Sequence, residues 1–286
     1  MAFKRLANDL LPPCLLRQIQ RFRGRHYGFS GSYSSWEEAS RQCRGYDAEA
    51  IFAKVGEAAL AVRDGHCAYE RDSVQFTEPD CHWPILASLM AVAAWSGQQL
   101  RVLDFGGSLG SLYLQHQAWL QRLPDCRWGI VEQPHFVTFG QRELATDTLS
   151  FHASIEACVA AVQPNVILLA SVLQYLPDPY AMLDELLSLK IPYIVHDRTT
   201  CAVDGQERCT VQRVHPSIYP ASYPAWLFAE DRLDQVLLAD HHLLTMLSPQ
   251  PVVPAWQGVR YVGGLYARLP QGERPVPNLS HSVRKP

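Results

Sequence analysis

The sequence predicts an α/β fold: a mostly parallel sheet with helices on both faces, an antiparallel last strand, and a helical segment ahead of it. Three observations predict this. Short apolar runs at 100–104 (LRVLD), 127–132 (RWGIVE), 149–152 (LSFH), 166–171 (VILLAS) and 192–196 (PYIVH) alternate with helical patterns at 109–123, 135–145, 154–162 and 179–189. Strands buried on both faces of a parallel sheet read this way. The stretch RVLDFGGSLGSLYLQ, residues 101–115, passes from an apolar run through a glycine cluster into a helical pattern, as a strand, a tight turn and a helix N-terminus do. After a less regular Pro- and Tyr-rich segment, a helix at 229–239 and strands at 242–247 and 259–268 close the pattern, with RYVGGLYARL as the antiparallel finish.

The elements ahead of the sheet follow from capping signals. Ser34 or Ser35 caps a helix in SSWEEASRQC, and Glu37 and Glu38 lie in its first turn, where the helix dipole favours anions. YDAEAIFAKVGEAALAVRDG reads as a second helix, started by Asp47 and stopped by Gly65. PILASLMAVAAW, 84–95, is a third and strongly apolar one. Trp95, Trp119 and Trp128 fit packing positions. The chain thus divides into a basic arm (1–30), a helical cap (31–98), an α/β domain (99–269) and a polar, proline-rich tail (270–286) of disordered composition. At 286 residues and 48% hydrophobic, it can bury one large core plus a smaller cap.

Charge narrows the partners. Residues 1–30 carry six Lys/Arg against Asp9, hence +5, so the net −3 leaves the remainder at −8. A chain acidic outside one short arm is not a general nucleic-acid binder. In the arm, Leu11, Leu15, Ile19 and Phe22 recur at helical spacing, which suits either peripheral contact with an anionic membrane or packing on the chain's own domain. The eight cysteines form no C-x-x-C pair, and although GHC and CHW place Cys67 and Cys81 beside histidines, zinc-site spacing is missing. No metal site is expected. Free thiols and the lack of a signal peptide suit a reducing cytoplasm, and the apolar runs are too short to span a bilayer.

The glycine turn separates cofactor classes. A dinucleotide fold wants G-x-G-x-x-G; counted from Gly106, the second and third glycine places hold Ser108 and Ser111. A nicotinamide oxidoreductase is therefore disfavoured. A P-loop needs a lysine after its last glycine, and none follows Gly110. What remains is D-x-G-G-x-x-G after a strand, with Glu132 ending the next strand. This resembles the cofactor loop of class I methyltransferases, which use S-adenosylmethionine on a Rossmann-like sheet. The resemblance implies that Asp104, Gly106, Gly107, Ser108 and Gly110 form the loop around the methionine part. Glycine would let the backbone approach where a side chain collides, and the helix N-terminus would offer amides to a carboxylate. Glu132, followed by Gln133, would accept hydrogen bonds from the ribose hydroxyls. Ser154 and Ile155, in SFHASI, fall where the adenine pocket is completed, Ser154 replacing a frequent aspartate. In ASVLQYLPDP, Ser171, Gln174 and Tyr175 would border adenine and acceptor.

Several blocks in order, DFGGSLG, VEQPHFV, SVLQYLPDP, HDRT and VQRVHPSIYPASYPAWLF, with SWEEA and GYDAEAIFAKV upstream, resemble a family of bacterial methyltransferases associated with polysaccharide and cell-envelope gene clusters. That likeness spans roughly residues 30–268 and implies the fold and the cofactor, not the acceptor. The leading expectation is methylation on oxygen of a small-molecule or saccharide acceptor such as an envelope precursor; a methyltransferase-fold binding or assembly module is the alternative. A hydroxyl acceptor needs a base. YIVHDRTTC brings His196, Asp197 and Arg198 to the ligand edge of the sheet. Asp197 is the first candidate for the base, or else it holds Arg198; Arg198 would grip an anionic acceptor such as a uronic acid or phosphorylated sugar, or pair with Asp197. The segment 211–228 reads as a long functional loop, with Tyr219, Tyr223 and Trp226 for stacking on a sugar and His215 as a second base.

Overall fold

The computed structural model describes residues 27–44, 48–215, 221–247 and 258–268. Asp47, Tyr219, the arm's helical positions and the tail from Pro270 lie outside them. The sheet comes first in importance. Strands β4 (Gln99–Phe105), β5 (Asp125–Val131), β6 (Leu149–His152), β7 (Val166–Ala170), β8 (Tyr193–Ala202), β11 (His241–Met246) and β12 (Val259–Arg268) form one seven-stranded sheet in the order β6-β5-β4-β7-β8-β12-β11. The first five pair in parallel, and β12 runs antiparallel to both neighbours. The order reverses between β4 and β7, the switch point where open α/β sheets bind ligands.

Helices cover both faces: α3 (Trp83–Trp95), α4 (Ser111–Leu120), α5 (Pro134–Glu143), α6 (Ile155–Val162), α7 (Pro179–Ser188) and α8 (Glu230–Leu238). One core, with Ile85, Leu89, Val102, Tyr113, Trp128 and Ile130, lies under α3 and α4. The other, with Leu103, Ile155, Cys158, Leu169, Leu183 and Leu233, lies under α6, α7 and α8. Both faces of the parallel strands are therefore buried, which is why their sequences are continuous apolar runs. Trp128 is fully enclosed, but Trp95 and Trp119 are 56% and 46% exposed. For those two the packing expectation is corrected: both sit on outward helix faces, Trp119 edge-on to the exposed Trp83 at 5.8 Å.

The segment ahead of the sheet is not purely helical. It holds α1 (Trp36–Ser40) and α2 (Ala48–Arg63), but also β1 (Gly28–Tyr33) and a hairpin of β2 (Tyr69–Arg71) and β3 (Val74–Phe76). Ser35 caps α1 by accepting from the Glu38 N–H at 3.2 Å, and Glu38 returns the contact to the Ser34 N–H at 2.9 Å, a reciprocal box that fixes the entry to a very short helix. In the segment 211–228, read as a long loop, the described residues are mostly sheet. β9 (Arg208–Arg213) and β10 (Ser222–Leu227) pair antiparallel, and β1 adds to β9, giving a second sheet of order β1-β9-β10.

The two sheets join at β8, which runs past the predicted end at 196 to Ala202. Thr200 donates its hydroxyl to the Trp226 carbonyl at 2.6 Å, and across the same seam the Ala202 N–H donates to the Phe228 carbonyl and the Phe228 N–H to the Thr200 carbonyl, both at 2.9 Å. Half-way along, β8 bulges: its register with β12 shifts between Val262 and Gly264, and Arg198 takes φ +50°. Gly263 permits the bulge, because a Cβ there would stand 2.8 Å from the His196 carbonyl oxygen. Backbone cannot yield as a side-chain tip can. Gly263→Ala should therefore cost about 1–3 kcal/mol, the usual range for overpacking; an unchanged urea midpoint would refute that reading of the bulge.

Candidate active site

The C-terminal ends of β4, β5, β7 and β8 converge on one edge. Asp104 ends the central strand fully enclosed, and the indole N–H of Trp128, one strand over, donates to its Oδ2 at 3.0 Å. Its other oxygen is buried without a hydrogen-bond partner. Burial pushes the carboxyl up to about 7, despite the indole bond and with help from Glu132 nearby. The chain then turns through three left-handed residues, Gly106 (φ +71°), Ser108 (φ +55°) and Gly110 (φ +86°). A Cβ on Gly107 would lie 2.4 Å from the Asp104 carboxylate. The turn is thus wrapped over a buried acid, and glycine is what fits.

Two expectations about these glycines change. A Cβ on Gly106 would meet Val172 at 2.4 Å, and one on Gly110 would meet Ile130 and Leu149 at 3.3 and 3.5 Å. The protein's own side chains thus already require glycine at these two positions. Gly110 is also the N-cap of α4 and leaves it without a side-chain cap. The anion at that end comes from the chain itself: Glu70, buried in β2, takes a hydrogen bond from the Ser111 hydroxyl and, at 3.0 Å, from the Ser73 N–H. Burial raises its carboxyl. Glu70 thus stands beside the first residue of α4 and meets it through the Ser111 hydroxyl, not through the helix's backbone N–H groups.

Glu132 stands beside the turn. β4 and β5 run in register to Phe105↔Val131, so Glu132 follows at the level of Gly106. Its carboxylate takes the Gln133 N–H at 2.7 Å and the Ser108 N–H, while burial raises it. Gln133 itself is exposed, as the N-cap of α5. Ser154 spends its hydroxyl capping α6, accepting from the Ala157 N–H at 3.2 Å. Ile155 is buried among Leu103, Val131 and Cys158, so its side chain belongs to the core rather than to an adenine pocket. Ser171, at φ +55°, donates its N–H to the Asp197 carbonyl at 2.9 Å. Gln174 is fully enclosed, its amide N–H donating to the Arg198 carbonyl at 3.1 Å and its Oε1 left without a partner. It braces the turn after β7 against the bulge.

At the bulge, neighbouring residues separate. His196 is buried, its ring nitrogens 3.1 Å from the Thr199 hydroxyl and 3.4 Å from the Tyr266 hydroxyl, and burial pushes it down to about 4. It is a neutral core histidine, which corrects its candidacy as a catalytic group. Asp197 is wholly enclosed; its Oδ2 lies 3.1 Å from His82 Nε2 and 3.3 Å from Arg198 Nε. Neither carboxylate oxygen is aligned for a hydrogen bond, nor is Arg198 Nε. Arg198 therefore meets Asp197, the second of the two roles open to it. His82, which sequence reasoning did not single out, is the residue that faces this carboxylate from outside β8. It heads α3, and its backbone N–H donates to Nε2 of buried His116 at 3.0 Å.

The predicted sugar-stacking residues form another group. Tyr223 lies edge-on to Tyr175 at 5.3 Å, and the Tyr175 hydroxyl donates to Gln212 at 2.8 Å. Trp226 donates to the Leu176 carbonyl at 3.1 Å. They lock the second sheet to the turn after β7. His215 is exposed beyond β9, its ring 4.7 Å from Tyr27. The hairpin tip, Asp72 and Ser73, both left-handed, brings Asp72 within electrostatic range of Tyr175 and Tyr261. Among the described residues no group of three or more His, Cys, Asp or Glu could hold a metal, and no helix is long and apolar enough to cross a membrane.

No family model matches the chain, and no curated protein matches it. Solved structures do. The N-terminal domain of EvdMO1, in the presence of SAH and D-fucose, is 15% identical over 79% of this chain and 100% of its own, with a TM-score of 0.47. Magnesium protoporphyrin IX methyltransferase of Synechocystis PCC 6803, with bound SAM, is 15% identical over 79% and 99%, at 0.41. A methyltransferase of Haloferax volcanii, in complex with the Trm112 activator, is 12% identical over 78% and 100%, at 0.46. The sheet of this chain is seven-stranded and Rossmann-like in its order, parallel but for the antiparallel β12.

The buried acid and histidines make stability depend on pH with opposite signs. His116 and His196 are both held down to about 4. Unfolded, they take protons below about pH 6.5, so their contribution is lost as pH falls through that window. Asp104, raised to about 7, opposes them: its unfolded form ionises first, so its contribution falls as pH rises from about 4 to 7. His196→Gln should remove one acid-sensitive component and flatten the fall in denaturation midpoint between pH 6.5 and 4.5; an unaltered slope would contradict the neutral buried imidazole.

Proposed function

We propose that the chain is an S-adenosylmethionine-dependent methyltransferase acting on a hydroxyl of a small neutral acceptor, of saccharide type. One observation carries the reading. The D-x-G-G-x-x-G turn stands at the head of the central strand, and a carboxylate, Glu132, heads the adjacent strand in register with it. A cofactor combining an amino acid and a nucleoside needs that pairing. The turn offers backbone polar groups to the amino-acid end, and the carboxylate accepts from two ribose hydroxyls.

The residues present fit this cofactor. Glu132 already accepts two backbone N–H groups, which orients it, and Asp104 keeps one buried oxygen without a partner under the turn. Gly106, Gly107, Ser108, Gly110, Glu132, Gln133 and Ser171 would hold the cofactor. Ile155 would take part through its backbone, and Ser154 after satisfying its helix. When bound, S-adenosylmethionine supplies a methyl group on a sulfonium, whose thioether leaves without further activation. The chain's task is then to align the acceptor, exclude water and accept a proton. Enclosure at the ends of β7 and β8 serves the second requirement, and the bulge at Asp197 brings titratable groups to the third.

The acceptor follows from charge. Arg198 was expected to grip an anion, but its Nε lies 3.3 Å from Asp197. The pair sums to zero, which supports a neutral acceptor over a uronic acid or sugar phosphate. The aromatic pair of Tyr175, in the turn after β7, and Tyr223, in the second sheet, lies towards the same edge and suits a saccharide. Work in the cytoplasm, with the basic arm near an anionic membrane, is compatible with this reading.

Calorimetric titration with S-adenosylhomocysteine tests it: wild type should bind one equivalent, and no detectable heat would overturn the proposal. Glu132→Ala should weaken binding about 10- to 100-fold, because hydrogen bonds to charged groups contribute roughly 1.5–3 kcal/mol.

A further inference from the structure

We infer that His82 and Asp197 form the proton-accepting pair of this site, with the imidazole taking the proton of an acceptor hydroxyl and the carboxylate balancing the charge that appears on it. This rests on the methyltransferase reading and moves the base from Asp197 to His82.

Exposure decides which of the two meets the acceptor. Asp197 has no accessible surface, whereas the His82 side chain keeps 12% of its own. The carboxylate is the inner member and the imidazole the outer one. Their 3.1 Å separation lets Asp197 stabilise an imidazolium by direct charge interaction. Three elements then fix the imidazole: α3 carries it, β8 presents Asp197, and α4 holds its backbone through the 3.0 Å bond to His116. Because α4 begins at the glycine turn, the proton acceptor and the cofactor loop share one rigid support.

The surroundings favour this use. The ionisable groups facing His82 are Asp197 and Arg198 from β8 and His116 from α4, with Asp80 acting on His116. His116 is held down to about 4 by burial, so at neutral pH it is uncharged and its Nε2 is free to accept the His82 N–H. His82 Nδ1, both Asp197 oxygens and Arg198 Nε are buried without hydrogen-bond partners. Unsatisfied buried polar atoms are expensive and rarely gather by accident. In the step itself the acceptor's O–H bond breaks, an N–H bond forms at Nε2, the nitrogen beside Asp197, since Nδ1 is buried, and the oxygen keeps the bonding pair for its attack on carbon. The proton afterwards passes to water.

The test uses the full chain, S-adenosylhomocysteine, tritiated S-adenosylmethionine and a panel of unprotected monosaccharides. His82→Ala and Asp197→Asn should bind S-adenosylhomocysteine about as well as wild type. Label transfer should fall about 10²- to 10⁴-fold in His82→Ala, the span of general base catalysis. Added imidazole should restore His82→Ala but not Asp197→Asn, and the double variant should be no worse than His82→Ala, as for residues acting as a unit. Independently of turnover, the His82 ring ¹⁵N resonances should move when the sugars are added to the S-adenosylhomocysteine complex. If His82→Ala loses cofactor affinity, His82→Gln, which keeps the side chain's bulk, replaces it. Wild-type transfer in either His82 variant, or a loss that imidazole cannot rescue, overturns the pair. So does a ring that ignores every sugar while S-adenosylhomocysteine still binds. Failure of wild type to bind S-adenosylhomocysteine would instead remove the underlying reading.

Discussion

A carboxylate enclosed at the head of the central strand governs the geometry above it. Asp104 has almost no exposure, one indole donor and one oxygen without a partner. Burying it is costly, and the fold lessens the cost by keeping the group near its protonation midpoint, at about 7. The turn must then pass directly over the acid. Gly107 admits the carboxylate, Gly106 admits Val172, and Ser108 bends back so that its N–H reaches Glu132. Strand β5 supplies both the indole below the turn and the carboxylate beside it. The turn and its two carboxylates are therefore one strand–turn–strand unit, braced from below by Trp128 and flanked by Glu132.

The second buried carboxylate solves a different problem. Asp197 lies within a strand that continues for five more residues, so it is not presented by a turn. A bulge presents it: Arg198 adopts a left-handed conformation, and Gly263 opposite lets the backbones close up. Ser108, Ser171 and Arg198 are all non-glycine residues at φ near +50°, each at or beyond the ligand end of a parallel strand. Such strain persists where the surroundings over-determine it and gathers at functional sites. Here the surroundings can be named. Ser171 and Gln174 donate to the carbonyls of Asp197 and Arg198, so the β7 turn holds the β8 bulge in place.

Legibility in the sequence followed the range of the interactions. The parallel strands and their helices were visible because double burial makes each run apolar on its own, and LRVLD, RWGIVE and VILLAS need no partner to be recognised. The glycine turn and Glu132 were visible for the same reason: their chemistry is local. His196 was misplaced because strand periodicity says which residues share a face but not that a bulge interrupts it. Glycine at 106 and 110 was foreseen, but its cause was not, since Val172 and Leu149 are distant in sequence. The second sheet was hidden because β1 and β9 lie some 180 residues apart, pairing Ser30 with Val211. Pro224 imitates a loop in the sequence, yet it is tolerated in β10, an edge strand of its sheet.

His82 shows the limit most clearly. In CHWP it is a residue before a helix start, indistinguishable by type or spacing from a capping position, and it forms no side-chain cap. Its meaning comes from Asp197, more than a hundred residues later, and from His116 between them. The hairpin of β2 and β3 is similar: Glu70 anchors it at the N-terminus of α4, while Asp72 reaches towards Tyr175 and Tyr261. The segment ahead of the sheet thus spans from the cofactor turn to the acceptor side, and both His82 and Glu70 come from it. In the proposed reading the sheet supplies the cofactor half and such additions supply the acceptor half, since they are free to vary without disturbing the sheet. That division is why the proposed cofactor chemistry could be argued from a short motif, whereas the proposed proton acceptor had to be found in space.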